Sequence, residues 1–274
     1  KAMREFYQWN YAPFEVPAEV YAHFDELKKG YAAEEAKYNE MFEGYKAAYP
    51  ELYAEWQQWH STELPEALLK DERLTAADKP AATRATGGNV LNVIAEYMPN
   101  LFGGSADLAP SNKSELKGKA YFSAEDRDGA NLHFGIREFA MAAICNGIML
   151  YGGLRAYCAT FMVFSDYLKP AMRMAALMKL PVIYILTHDS IGVGEDGPTH
   201  QPVEHLASIR AIPDTNLFRP ADMKETAGCY IAALQGNKPA AMALTRQNLP
   251  QYEETSVEGT LKGGYILKDC PDPD

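Results

Sequence analysis

The apolar and polar positions of this chain fall into two regimes. Residues 9–17 carry two Pro and read as an extended entry segment. Residues 18–49 are rich in Glu, Lys and Ala. Tyr31, Tyr38 and Tyr45 recur there every seven residues, with Met41, Phe42 and Tyr49 on or near the same stripe. That spacing predicts a helix packed on a larger body, stopped by Pro50. Residues 61–83 are polar with two Pro and read as a linker. From about residue 82 short apolar runs alternate with helical periodicity. Strands are expected at 101–103, 154–159, 182–186, 216–219 and 240–245, and helices at 87–97, 135–150, 165–178, 203–209 and 222–234. The helix over 135–150 is apolar nearly all round, so burial on several sides is expected. A further extended piece begins at 263–267. Short apolar strands separated by helices predict an α/β fold, with a mostly parallel sheet covered by helices on both faces.

Composition narrows the class. The chain has 274 residues, 47% hydrophobic and 23% charged, enough for a packed core. Its net charge of −11 argues against nucleic acid or an anionic membrane as partner. Any bound phosphate must meet local cations instead. Cys145, Cys158, Cys229 and Cys270 are scattered, with no Cys-x-x-Cys pair, which fits reduced thiols and a cytoplasmic location. No apolar run reaches about 18 residues, so no membrane span is expected. The chain opens at Lys1 rather than Met, which reads as an internal piece of something longer.

The densest chemistry lies in residues 187–201, Thr-His-Asp-Ser-Ile-Gly-Val-Gly-Glu-Asp-Gly-Pro-Thr-His-Gln, directly after the apolar run 181–186. A scaffold loop needs the Gly and Pro but not two His and three acids. The carboxyl end of a buried parallel strand is also where open α/β sheets hold ligands. Glu138 opens the apolar helix. It serves either as a helix-dipole cap or as a desolvated acid able to donate a hydrogen bond. Phe161, Phe164 and Tyr167, spaced by three, share one helical face or line a loop entering a helix. Asp107 follows Gly103-Gly104-Ser105-Ala106, where a glycine pair permits close backbone approach to a ligand or simply a turn. Arg84, Ser111 and Arg246 are unremarkable in isolation.

The run 187–201 resembles the signature of transketolase, a thiamine-diphosphate enzyme, and the likeness extends over residues 9–267. The resemblance implies the pyrimidine-binding α/β domain at 81–262. Residues 1–80 would be a helical or extended linker from a diphosphate domain, and 263–274 the start of a linker to a C-terminal domain. It assigns Glu138 to the aminopyrimidine ring of thiamine diphosphate, Phe161, Phe164 and Tyr167 to the pocket around that ring, and Asp107 to the same cofactor site. It assigns Arg84, Ser111 and Arg246 to the substrate phosphate, His188 and His200 to the donor carbonyl and hydroxyls, and Asp196 to a sugar hydroxyl. The implied reaction moves a two-carbon ketol unit between sugar phosphates, such as xylulose 5-phosphate and ribose 5-phosphate, in the pentose phosphate pathway. Phe139 stands where many relatives have His, and residues 113–130 depart from the family pattern, which bears on substrate preference.

No Gly-Asp-Gly followed by Asn is present, so Mg²⁺ or Ca²⁺ and the diphosphate would be held by a domain outside this sequence, and no metal ligand is assigned here. A homodimer, or pairing with a diphosphate-domain chain, is implied, and the fragment alone is expected to be inactive. A non-catalytic pairing module and a related ketol transferase such as dihydroxyacetone synthase are the alternatives.

Overall fold

A computed structural model describes residues 1–271. These form two compact units, divided between Gln58 and Trp59.

The first unit is helical. Ala18–Ala48 forms one long helix and Pro50–His60 a second, with Tyr49 between them. Pro50 takes the first helical position, where its missing N–H costs nothing. Phe42 is the hub of an aromatic cluster, with ring centroids 5.9 Å from Tyr38, 5.8 Å from Tyr53 and 5.1 Å from Trp56. Within its own unit the stripe packs, at Phe42, on the neighbouring helix. No residue of the long helix is buried, and Tyr31, Tyr38, Met41 and Tyr49 are exposed.

The second unit is built on six parallel strands in the order β2-β1-β3-β4-β6-β5. They are β1 Leu101–Ser105, β2 Asn131–His133, β3 Arg155–Phe161, β4 Ile183–Thr187, β5 Asn216–Phe218 and β6 Ala240–Leu244. Every residue of β3, β4 and β6 is buried, so these strands read as largely apolar rather than alternating, with Arg155, Thr160 and Thr187 the polar members. Alternate residues feed two separate cores. Tyr157, Ile183, Ile185, Met242 and Leu244 meet Leu91, Ile94 and Tyr230 from the helices Thr83–Tyr97 and Met223–Gln235. Cys158, Tyr184, Leu186 and Ala243 meet Met141, Cys145, Leu168 and Met172 from the helices Glu138–Tyr151 and Ser165–Leu177.

Three expectations need correction. Residues 61–83 are not a free linker. They carry short helices at Glu66–Leu69 and Glu72–Leu74, whose Leu68 and Leu74 sit in the first core, and Arg155 donates to the carbonyl of Ser61. The helix Glu138–Tyr151 is buried on one side only. Met141, Ala142 and Cys145 face the core, while Phe139, Ile144 and Leu150 are about half exposed. Residues 263–267 form no strand; Tyr265 donates its hydroxyl to Glu225 Oε1 at 2.6 Å. Residues 272–274 of the expected outgoing linker lie outside the described residues.

The strand β2 was not expected from sequence. Its Asn131 organises the divergent segment before it, accepting from Leu116 N at 2.8 Å and donating to the carbonyls of Leu116 and Lys119. Gly103 and Gly104 lie inside β1 rather than facing a ligand. A Cβ on either would come within 2.1 Å of Tyr157 O or 1.9 Å of Leu132 O, so the pair serves strand packing.

Candidate functional site

The strand order reverses between β1 and β3, since β2 lies on one side of β1 and all later strands on the other. Such a switch point opens a crevice at the carboxyl ends of the strands. The eleven residues singled out above lie at this edge: Phe161 ends β3, and the others lie in the connections or in the helices that start there.

One half of the site is a cavity of about 480 Å³, lined by Ala106, Asp107, Leu108, Glu138, Phe164 and Tyr167 together with Ile136. Asp107 leaves β1 with a left-handed backbone (φ 61°), a conformation Asp tolerates at a cost. Glu138 is the first residue of its helix and is 8% exposed. Of the apolar residues near it in sequence, Met141 is fully buried, while Ile136 and Phe139 are exposed. Phe161 ends β3, Phe164 lies in the following turn and Tyr167 in the first turn of the next helix. This is the loop-into-helix arrangement, with Phe161 and Phe164 stacked at 6.0 Å and Phe164 at 6.2 Å from Tyr167. Tyr167 is 64% exposed, so the cavity has one open aromatic wall.

The donor set fits an aminopyrimidine ring. A buried carboxyl without an internal hydrogen-bond partner among the described residues stands beside aromatic faces, in a cavity of small-ligand size. Nothing lining it is cationic, so the cavity offers no counter-charge to a diphosphate.

The other half is polar and tied together. Thr83 and Thr245 exchange bonds: Thr83 N donates to Thr245 Oγ1 at 3.0 Å, and Thr245 N to Thr83 Oγ1 at 2.7 Å. This clamp sets Arg84, at the start of its helix, beside Arg246, just past β6. Arg84 Nη1 donates to the carbonyl of Ser111 at 2.8 Å, and Arg246 Nη2 meets Glu195 Oε1 at 3.2 Å. Partial burial lowers the Arg84 pKa and Arg246 adds to this, while Asp196 opposes it. Two guanidiniums this close form the local positive field that the acidic chain otherwise lacks.

His188 follows β4 with a left-handed backbone (φ 58°) and is 3% exposed. Its ring lies 3.8 Å from Phe161, tilted by 34°. Burial pushes its pKa down to about 4, helped by Arg84, Arg246 and His200 and opposed by Asp196. His200 sits edge-on to Phe164 at 5.4 Å and Phe161 at 6.0 Å, with Nδ1 2.8 Å from Thr199 Oγ1. Phe161 and Phe164 thus touch both halves. The residues that sequence reasoning missed are supporting ones: Thr83, Thr245, Ser105, Asn112 and Thr187. The pairings of Thr83 with Thr245 and of Asn112 with Thr187 carry no local motif, because those partners are 162 and 75 residues apart.

One other cluster, Asp166, Glu204 and His205, could offer three ligand atoms to a cation, but Lys169 already pairs with Asp166 at 2.7 Å.

Comparison with known proteins agrees with this geometry. Residues 79–251 match the transketolase pyrimidine binding domain, and residues 1–65 match the transketolase thiamine diphosphate binding domain. A transketolase of Halalkalibacterium halodurans is 49% identical over 272 residues, covering 97% of this chain and 41% of that protein. One from Geobacillus stearothermophilus is 50% identical over 273 residues, with the same coverage of 97% and 41%. A Pichia stipitis transketolase crystallised with sedoheptulose-7-phosphate superposes with a TM-score of 0.89 at 43% identity, covering 96% of this chain and 40% of that one. The chain belongs to the transketolase family. It spans about two fifths of the length of these relatives.

Proposed function

We propose that this chain supplies the pyrimidine-facing and sugar-phosphate-facing half-site of a transketolase. The observation that carries the reading is the joining of two unlike half-sites along one sheet edge. A cavity holding Glu138 and aromatic walls lies beside a paired Arg84–Arg246 field at Ser111, and the two are bridged by Phe161 and Phe164.

In this reading Glu138 hydrogen-bonds the aminopyrimidine ring, Asp107 closes the polar rim of its pocket, and Phe161, Phe164 and Tyr167 pack against its faces and exclude water. Thiamine diphosphate, when bound, supplies the nucleophile and electron sink for two-carbon transfer. Arg84, Ser111 and Arg246 hold the sugar phosphate, for which the planar guanidinium fork is suited. His188 and His200 meet the carbonyl and hydroxyls of the donor sugar, and Asp196 reads a hydroxyl further along it. The solved relative holding sedoheptulose-7-phosphate supports a sugar phosphate as ligand.

The diphosphate, and the Mg²⁺ or Ca²⁺ that neutralises it, fall to residues outside the cavity. The half-site alone is therefore inactive and works in a homodimer or with a diphosphate-domain chain. The exposed Phe139, Ile144 and Leu150, on the helix that Glu138 opens, fit such a pairing face. Four free cysteines, three of them buried, fit the reducing cytoplasm.

The test is ketol transfer from xylulose 5-phosphate to ribose 5-phosphate with thiamine diphosphate and Mg²⁺, using this chain mixed with a diphosphate-domain chain. Activity that needs both chains and is lost with Glu138→Ala supports the half-site. Silence from a mixture shown to associate supports a pairing module instead, and activity of this chain alone refutes the division of labour.

A further inference from the structure

A line of hydrogen bonds runs beneath His188, and it has a direction. Thr187, the last residue of β4, is fully buried. Its hydroxyl has two partners among the described residues, Asn112 Nδ2 at 2.8 Å and His188 Nδ1 at 3.0 Å. Asn112, 1% exposed, is met on Oδ1 by Ser105 Oγ at 2.9 Å. Ser105 Oγ in turn takes the backbone N–H of Leu108 at 3.1 Å.

The polarity starts from the one group that has no choice. A backbone N–H can only donate. The Ser105 oxygen therefore accepts from Leu108, and its proton goes to Asn112 Oδ1. The Asn112 amide then presents Nδ2–H to Thr187. With its oxygen accepting from Asn112, Thr187 has one proton to give, and Nδ1 of His188 is the remaining partner. Turning the Asn112 amide over would reverse the last two bonds. It would also strand the Ser105 hydroxyl proton, in a residue 3% exposed, without an acceptor among the described residues. Leaving a buried donor unpaired costs its full desolvation.

We infer that Ser105, Asn112 and Thr187 hold neutral His188 as its Nε2–H tautomer, so that the nitrogen facing the ligand is a hydrogen-bond donor. Two further observations agree. His188 is neutral around neutral pH, its pKa being lowered to about 4 by burial and by Arg84. Its Nε2 has no partner among the described residues, yet it is not among the buried unpaired polar atoms, so it keeps contact with solvent.

This inference rests on the reading of His188 as a substrate-facing group. It deepens that reading by dividing the work of the two histidines. A neutral Nε2–H donates to a carbonyl or hydroxyl oxygen and has no lone pair with which to accept a proton. His188 therefore steadies an oxygen, and proton acceptance falls to another group. His200 differs: only the neighbouring Thr199 hydroxyl meets its Nδ1, with no buried chain behind it to fix which atom donates.

The experiment is a long-range ¹H–¹⁵N correlation spectrum of the histidine rings in this chain near neutral pH, with His188 assigned by its absence in His188→Gln. The expected result is a bare Nδ1 and a protonated Nε2, in an excess of about fivefold or more, the bias of roughly one hydrogen bond. A dominant Nδ1–H form overturns the inference. In Thr187→Val the excess should collapse, and in Thr187→Ser it should persist; an unchanged excess in Thr187→Val overturns the role of the chain of bonds. Should Thr187→Val fail to fold, the wild-type spectrum decides alone. The readout needs no ketol transfer, so it stands or falls separately from the transketolase reading.

Discussion

The two halves of the site are built on opposite principles. Around Arg84, Ser111, His188 and Arg246, bonds made by Thr83, Thr245, Asn112 and Thr187, and from Arg84 to Ser111, hold the groups in place. Around Glu138 the chain provides shape and little else: aromatic walls, one buried carboxyl without an internal partner, and exposed apolar residues at the rim. The first half is finished within this chain. The second offers aromatic walls and an unpartnered carboxyl, with Tyr167 open to solvent.

The largest effect expected from breaking this contrast is on rate. Glu138→Ala in the completed enzyme should lower kcat by about 10²–10⁴-fold, the range for removing a proton-handling group, while the urea midpoint stays within experimental error. A clear loss of stability would mean that Glu138 is structural and that the halves are not so different. Next comes Arg84→Ala, which removes one charged fork from the phosphate. The expected rise in KM is roughly ten- to a hundredfold with kcat little changed, read by steady-state kinetics at varied sugar phosphate. A drop confined to kcat would move Arg84 out of the phosphate role.

The finished half should also carry stability. Thr245→Val keeps the shape but breaks the reciprocal clamp with Thr83, stranding a buried N–H and a hydroxyl. The unfolding free energy should fall by about 1–3 kcal/mol in urea titration. The smallest effect concerns pH. His188 titrates near 4 in the fold against an ordinary 6.5, so the unfolded chain binds more protons between those values. Stability should therefore decline as pH falls from 6.5 toward 4, and His188→Gln should remove that part of the decline. An identical acid limb in the variant would assign it to other groups.

Much of this architecture is legible in sequence, for physical reasons that also explain the failures. The runs giving β3, β4 and β6 are apolar because both faces of a parallel sheet are covered, and that pattern survives without any knowledge of partners. Residues 61–83 mislead because two leucines, Leu68 and Leu74, do the packing inside an otherwise polar stretch. Three-residue β2 is defined by one asparagine side chain rather than by periodicity. For the site, a family resemblance supplies the roles. It says nothing of Asn112 meeting Thr187 or Thr83 meeting Thr245, because those pairs exist only once the sheet has ordered the chain.

The Thr83–Thr245 clamp has a kinetic consequence. Its partners are 162 residues apart, and β1 and β3 lie on opposite sides of the strand-order reversal. Contacts of such separation are slow to form, because a long loop must be closed before they give anything back. The polar half of the site is thus assembled late, after the local helices, and a half-folded chain has no such half-site to offer. Ligand capture at this edge would act as quality control, rewarding only molecules that have completed one of the long closures in the fold.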